Sequence, residues 1–288
     1  MSKIISTGHG NTPIIFVGTH RGIKIYLKLE GENPSGALKD RLVSWVMSHT
    51  PESQWSDKIL LDASSGSHGF ALALWGARNS VPVTIVSNVK ISEENRRAIL
   101  ATGATFHLEG KITKESRDYC LRLNEESPDD YFFFDQLEQN AAYPAYHAIA
   151  KEILRDLPQT GTIVASKGSG VTLRGICDAL RNEPVKVFGT IGFTGDQSIV
   201  GTYKPGADYE TDAIRHLVTQ TNYLGDIPVH FESVMTTWKK LLSKGFLVGP
   251  QGAGVYQSII TLIDQGRIKE SVVGVAGDTA LKHLSRLG

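Results

Sequence analysis

Residues able to do chemistry gather in three short segments, each where an apolar, β-branched run gives way to a helical pattern. The first is Glu30-Gly31-Glu32-Asn33-Pro34-Ser35-Gly36-Ala37-Leu38-Lys39-Asp40-Arg41. A strand ends there, Pro34-Ser35-Gly36 turns the chain, and a helix starts near Lys39. A cation is disfavoured at the positive end of a helix. That placement, with burial, lowers the lysine's pKa and enlarges its neutral fraction. A neutral amine is what an aldehyde cofactor needs to form a Schiff base. The second segment is Ala63-Ser64-Ser65-Gly66-Ser67-His68-Gly69. Hydroxyls and free backbone N–H groups at a helix start make an anion site, and a carboxylate suits it. His68 could donate to a substrate or cap the helix. The third is Ser166-Lys167-Gly168-Ser169-Gly170-Val171-Thr172. Its glycines let successive N–H groups converge on a phosphate, and Ser169 and Thr172 add hydroxyl donors. No Gly-Lys-Ser/Thr ends it, so it is not a Walker A loop. It lacks the third glycine of a dinucleotide fingerprint. Taken singly, each segment also reads as an exposed lysine, a serine-rich cap or a glycine turn. Together they are the parts of a pyridoxal-phosphate enzyme.

The elements that must position these segments alternate along the chain. Strand-like runs are Ile14–Val17, Lys24–Leu29, Ile59–Leu61, Val81–Val86, Thr162–Ala165, Val185–Thr190 and Val272–Ala276. Amphipathic helical stretches are Arg41–His49, Phe70–Asn79, Glu93–Thr102, Ala142–Leu157, Val171–Arg181 and Val255–Gln265. Strands alternating with helices imply parallel sheets with crossover helices on both faces. Continuously apolar strands fit sheets covered on both sides. Pro128-Asp129-Asp130 and Pro158-Gln159-Thr160-Gly161 are turn signals, and Gly192–Asp212 is the longest unpatterned piece.

Composition narrows the function classes. The 288 residues hold 41% hydrophobic and 21% charged side chains, an ordinary globular balance. Thirty basic residues offset thirty acidic ones, so no overall field draws the chain to nucleic acid or to an acidic membrane. Cys120 and Cys177 match no metal or redox spacing and suit a reducing compartment. Met1–Ile5 lacks the apolar core of a signal peptide, no run is long enough to span a bilayer, and no metal site is expected. A cytoplasmic enzyme acting on a small metabolite is the expectation.

The three segments, in this order, resemble those of fold-type II pyridoxal-phosphate enzymes, most closely the cysteine synthase and cystathionine β-synthase family. Asn33–Arg41 looks like the family's N-P-T-G-S-x-K-D-R, and Ser64–Gly69 resembles its T-S-G-N-T-G loop. Gly168-Ser169-Gly170-Val171-Thr172 is similar to G-T-G-G-T, and Asp135-Gln136-Leu137 to D-Q-F. The likeness runs from about Thr12 to about Leu284. It implies a tryptophan synthase β-like α/β fold of two open, mainly parallel lobes with the active site between them. The cofactor-binding lobe would comprise residues 1–35 plus 146–288 and the smaller mobile lobe 36–145. A homodimer is implied as well.

By the same resemblance Lys39 is the lysine that carries pyridoxal 5′-phosphate. Gly168, Ser169, Gly170, Val171 and Thr172 hold its phosphate. Ser64, Ser65, Gly66, Ser67, His68 and Gln136 hold the substrate carboxylate. Ser67 stands where the family has the asparagine that meets the cofactor ring. No serine faces the pyridine nitrogen in Gly249–Gly254, and Gln251 is the candidate there. No counterpart of the family's G-I-G-x-G-F lies between Gly206 and Asp226. The implied reaction is β-replacement on a serine-derived amino acid through an aminoacrylate. A serine/threonine dehydratase or racemase, whose loops carry a histidine like His68, is the alternative. A catalytically weak cofactor-binding regulator is a third reading.

Overall fold

A computed structural model describes residues 8–136, 138–206 and 211–287. Its strands are β1 (Ile14–His20), β2 (Ile23–Leu29), β3 (Ile59–Ala63), β4 (Val83–Ser87), β5 (Thr105–Leu108), β6 (Tyr131–Phe133), β7 (Thr162–Ser166), β8 (Lys186–Gly192), β9 (Tyr223–Val229) and β10 (Val272–Ala276). They form two separate sheets, ordered β1-β2-β10-β7-β8-β9 and β5-β4-β3-β6. Every neighbouring pair is parallel except the β1–β2 hairpin.

The chain divides into two compact units, one per sheet. The unit of the six-stranded sheet takes Gly10–Glu32 and Asn140–Leu281. Its helix Pro250–Asp264 is buried along Val255, Ile259 and Leu262, which pack with Ile25, Val164, Phe188 and Val272. That i, i+4, i+7 spacing is one face of a helix laid on apolar strands. The four-stranded unit takes Asn33–Gln139 and the chain from Lys282 on. Every residue of β4 is buried, as two covered faces require. Leu61, Ala63, Val86 and the Cys120 thiol form part of its core. Burial pushes that thiol's pKa up, which makes Cys120 a packing residue.

Helix Ser67–Asn79 lies tightly against β4 because Gly76 has no side chain. A Cβ there would run into Val83 Cγ2 and come within 2.7 Å of the Val81 carbonyl oxygen. Gly76→Ala is therefore expected to cost about 1–3 kcal/mol of stability through overpacking, read from the denaturant midpoint.

The structure corrects the expected helix Ala142–Leu157. Gln139–Tyr146 is a 3-10 helix with Pro144 inside it, and the α-helix begins only at His147. Proline lacks the N–H that an α-helical interior would use. The expected unpatterned stretch after Gly192 has no regular element before Asp212, and residues 207–210 of it lie outside the described residues.

Candidate active site

Lys39 is the first residue of helix Lys39–His49, in the four-stranded unit, and its entry is built by the preceding turn. Gly36 N–H donates to the Asn33 carbonyl at 2.8 Å and reverses the chain. Asp40, buried, accepts from the Ser35 amide at 3.1 Å and from the Ser35 hydroxyl at 2.5 Å. Burial raises the Asp40 carboxyl above its ordinary range, against the pull of those Ser35 bonds. Lys282 Nζ donates to the Ser35 carbonyl at 2.9 Å, which pins the turn from the C-terminal end of the chain. Lys39 itself is half-buried, and no described residue hydrogen-bonds or ion-pairs its Nζ. Burial lowers its pKa from 10.5 to about 8, with the charge of Asp62 acting the other way. The amine thus has a far larger neutral fraction near neutrality than an ordinary lysine, as a Schiff-base lysine needs.

Strand β3 delivers the second segment. Ser64 is buried, and its Oγ accepts from Gly69 N–H at 2.9 Å and Gly66 N–H at 3.3 Å. The Ser64 hydroxyl therefore shapes the loop from inside. Ser65, Gly66 and Ser67 are half-buried, and helix Ser67–Asn79 opens at Gly66 with no side-chain cap. Gly69 N–H is taken by Ser64, and the remaining first-turn N–H groups, following a parallel strand, are a ready anion site. The ring of His68 is turned inward: Nε2 lies 2.8 Å from Asp62 Oδ2, and the ring tilts against Phe134 at 4.9 Å. Gln136 joins the same place. Its backbone N–H donates to Asp62 Oδ2 at 3.3 Å and its Nε2 to the Ala63 carbonyl at 2.9 Å. Leu137, the third residue of that segment, lies outside the described residues.

The third segment belongs to the six-stranded unit and follows β7. Gly170, the N-cap of helix Val171–Ala179, has φ +83°, and again no side chain caps the helix. A Cβ on Gly170 would meet Ile214 N at 2.8 Å, and one on Gly168 would meet the Gly201 carbonyl oxygen at 3.0 Å. The bare backbone is held in shape by Thr211 Oγ1, which donates to the Ser169 carbonyl at 2.5 Å. Val171 is buried, and Ser169 and Thr172 are half-buried. Gln251 Nε2 donates to the Gly201 carbonyl at 2.8 Å, so its amide braces the loop beside this turn.

Two uncapped helix starts, one fit for a carboxylate and one for a phosphate, and a lysine of lowered pKa agree with the donor set a pyridoxal-phosphate cofactor requires. Of the residues that sequence reading named, Lys39, Ser64–His68 and Gln136 lie in the four-stranded unit, while Gly168–Thr172 and Gln251 lie in the other. It missed Asp62, buried at the end of β3, whose signal was a lone acid within Ile59-Leu60-Leu61-Asp62-Ala63. It also missed Thr211, which no local motif marks. Helix Asp212–Leu217 lies within the stretch that had no family counterpart.

The model of the family "Pyridoxal-phosphate dependent enzyme" matches residues 5–277. A cysteine synthase of Aquifex aeolicus is 30% identical over 232 residues, covering 74% of this chain and 71% of that protein. A cysteine synthase of Helicobacter pylori strain J99 is 27% identical over 280 residues, 91% of this chain and 89% of the other. Among solved structures, an O-acetylserine dependent cystathionine β-synthase of Helicobacter pylori matches with a TM-score of 0.83 and 24% identity, over 99% and 98% of the two chains. A hydrogen sulfide-producing enzyme of Fusobacterium nucleatum matches with a TM-score of 0.85 and 21% identity, over 95% of each. These structural likenesses establish the fold.

Proposed function

The chain belongs to the pyridoxal-phosphate dependent enzymes, and from that premise we propose that it replaces the β-substituent of a serine-derived amino acid, as its cysteine synthase relatives are named for doing. The observation that carries this reading is Lys39, half-buried, without a hydrogen-bond or ion-pair partner among the described residues, its pKa lowered to about 8 just after the Asn33–Gly36 turn.

The cofactor, when bound, supplies an aldehyde for amine exchange and a conjugated ring that takes up the charge left at the substrate's α-carbon. The chain does the rest. Lys39 Nζ would hold the cofactor, and it is the group placed to accept the substrate's α-proton. The Ser64–Gly69 loop receives the substrate carboxylate on the hydroxyls of Ser65 and Ser67 and on first-turn N–H groups. Gln136 borders that loop and has its side-chain carbonyl to orient donors. Gly168, Ser169, Gly170, Val171 and Thr172 take the phosphate on backbone N–H groups and two hydroxyls. Gln251 is the neutral group assigned to the pyridine nitrogen, and a neutral partner suits β-chemistry, which needs a weaker electron sink than transamination. A cytoplasmic setting is supported by two buried, unpaired cysteines. Among the described residues no helix is long and apolar enough to cross a membrane. The homodimer implied by resemblance completes the proposal.

The reading is tested by mixing the holoenzyme with O-acetylserine and a thiol or sulfide and following formation of the substituted amino acid. Release of pyruvate alone, with no replaced product, would move the chain to the eliminating enzymes. Ser169→Ala and Thr172→Ala are each expected to weaken cofactor retention about tenfold to a hundredfold, since a hydrogen bond to a charged group is worth about 1.5–3 kcal/mol. Equilibrium dialysis against free cofactor measures it, and unchanged retention in both variants would relocate the phosphate site.

A further inference from the structure

Past β6 the chain keeps its ladder with β3 for one more step, Phe134 N–H donating to the Leu61 carbonyl at 2.9 Å. At Asp135 it breaks away. That residue has φ +49°, in the left-handed region that a side chain makes unfavourable and that aspartate tolerates better than most. The break decides where Gln136 goes. Instead of running on beside β3, Gln136 turns across its end. Its N–H donates to Asp62 Oδ2 at 3.3 Å and its Nε2 to the Ala63 carbonyl at 2.9 Å. Asp62 and Ala63 immediately precede Ser64, so Gln136 is fastened at the root of the serine loop.

The grip on Asp135 comes from another element. Helix Thr113–Glu126 packs on the sheet through Cys120, with Tyr119 and Leu123 beside it. From the turn before Cys120, Arg117 reaches Asp135 with both edges of its guanidinium: Nε donates to Oδ1 at 2.8 Å and Nη2 to Oδ2 at 2.6 Å. Nη2 also lies 3.5 Å from Glu138 Oε1, and Glu138 N–H donates to the Asp135 carbonyl at 3.0 Å. A two-bond fork fixes the plane of a carboxylate, which one bond does not. The side chains are 24% and 15% exposed, so solvent screens this pair less than one on the open surface.

We propose that Arg117 is a positioning residue for amino-acid binding: by gripping Asp135 it holds the backbone reversal that presents Gln136 at the root of the Ser64–Gly69 loop. This role rests on the carboxylate contact proposed for Gln136, and it puts a determinant of substrate affinity on a helix that contributes to none of the three segments.

Two readouts test it. In the chain before any cofactor is added, the Gln136 amide, followed by NMR, is expected to exchange its hydrogen about tenfold faster in Arg117→Gln than in the wild type. In the holoenzyme, Arg117→Gln should retain cofactor as the wild type does. The L-serine concentration giving half the spectral change should rise about tenfold, as for one lost hydrogen bond to a charged group. Ethanolamine, the same amine without the carboxylate, should titrate alike in both proteins. Gln136→Ala should lose serine affinity similarly, and adding Arg117→Gln to it should cost nothing more. Asp135→Asn tolerates the same backbone but offers the fork one acceptor, so it should behave as Arg117→Gln. An unaltered Gln136 amide, an equal loss for serine and ethanolamine, or wild-type serine affinity in Arg117→Gln where Gln136→Ala has lost it would overturn the proposal. So would tighter serine binding in Asp135→Asn, since a released Arg117 would then be meeting the substrate itself. If Arg117→Gln fails to fold by circular dichroism, Asp135→Asn decides on the same readings. Wild-type serine affinity in Gln136→Ala would instead refute the carboxylate contact in the proposed function, while the exchange of the Gln136 amide still decides whether Arg117 holds that residue.

Discussion

Lys39→Ala is expected to leave the chain folded and lower turnover by at least about a thousandfold, since it removes both the proposed covalent anchor and the proposed proton acceptor, and the latter alone contributes on the order of a hundredfold to ten-thousandfold. Borohydride treatment should then fix no cofactor to the protein, whereas it does so in the wild type. A borohydride-stable link that survives in Lys39→Ala would end the assignment. The pH dependence follows from the lowered pKa. Capture of cofactor by the empty chain should rise with pH about a midpoint near 8, where the amine loses its proton. Stability carries the same signature. Because Lys39 titrates at about 8 in the folded chain and at its ordinary 10.5 when unfolded, the unfolded chain binds more protons between those values. Folding stability therefore climbs as pH rises through that window and falls as pH drops back through 8. Lys39→Met removes the buried amine, so it should unfold later than the wild type near neutrality and lose the climb above pH 8.

The largest loss of stability is expected at Glu152. Lys28, on β2, has no exposure at all, yet its Nζ sits 2.5 Å from Glu152 Oε2 and donates to the Thr12 carbonyl at 2.6 Å. Thr12 in turn donates to the buried Glu30 at 2.7 Å. Removing one member of a buried ion pair strands the other charge, and that costs about 3–5 kcal/mol. Glu152→Leu should therefore shift the denaturant midpoint far down. The pair Lys28→Met with Glu152→Leu should recover most of it, since an apolar replacement of a whole buried pair is often neutral or better. Double and single variants of equal instability would mean that the strand needs the lysine for some other reason.

How legible this protein was in its sequence varied with how much apolar surface each element had to show. Strands buried on both faces, such as β4, β7 and β10, announced themselves as short runs rich in β-branched residues and free of charge. The edge strands β5, β6 and β9 did not. β5 is mostly exposed, and β6 is three aromatic residues after a turn. β9 carries Gly225, Asp226 and Pro228 on the outer edge of its sheet, where a proline is tolerated because no neighbour needs its N–H. Helix Thr113–Glu126 buries only Ser116 and Cys120, so no apolar stripe marked it. Helix Phe231–Leu242 did carry a stripe in Val234, Trp238 and Leu241, and it passed unread. The site shows the same divide. Lys39, the serine loop and the glycine turn were visible because each is a local pattern at the end of a strand. The contact of Phe134 with His68, and the grip of Thr211 on Ser169, are made by residues distant in sequence and are invisible to spacing.

The order of the six-stranded sheet also sets a timetable for synthesis. β10 lies between β2 and β7, matching Val272 to Ile25 on one side and to Thr162 on the other. The β1–β2 hairpin is made before the other eight described strands, and the strand that joins it to β7 is made after all of them. Until then the hairpin has no seat in its sheet, and β2 and β7 each keep one edge of backbone donors and acceptors open. Pairings between chain segments so far apart are slow to form, and open edges invite wrong partners meanwhile. A nascent chain that stalls before Val272 would therefore carry nine of the ten described strands and still lack the one on which its larger sheet closes.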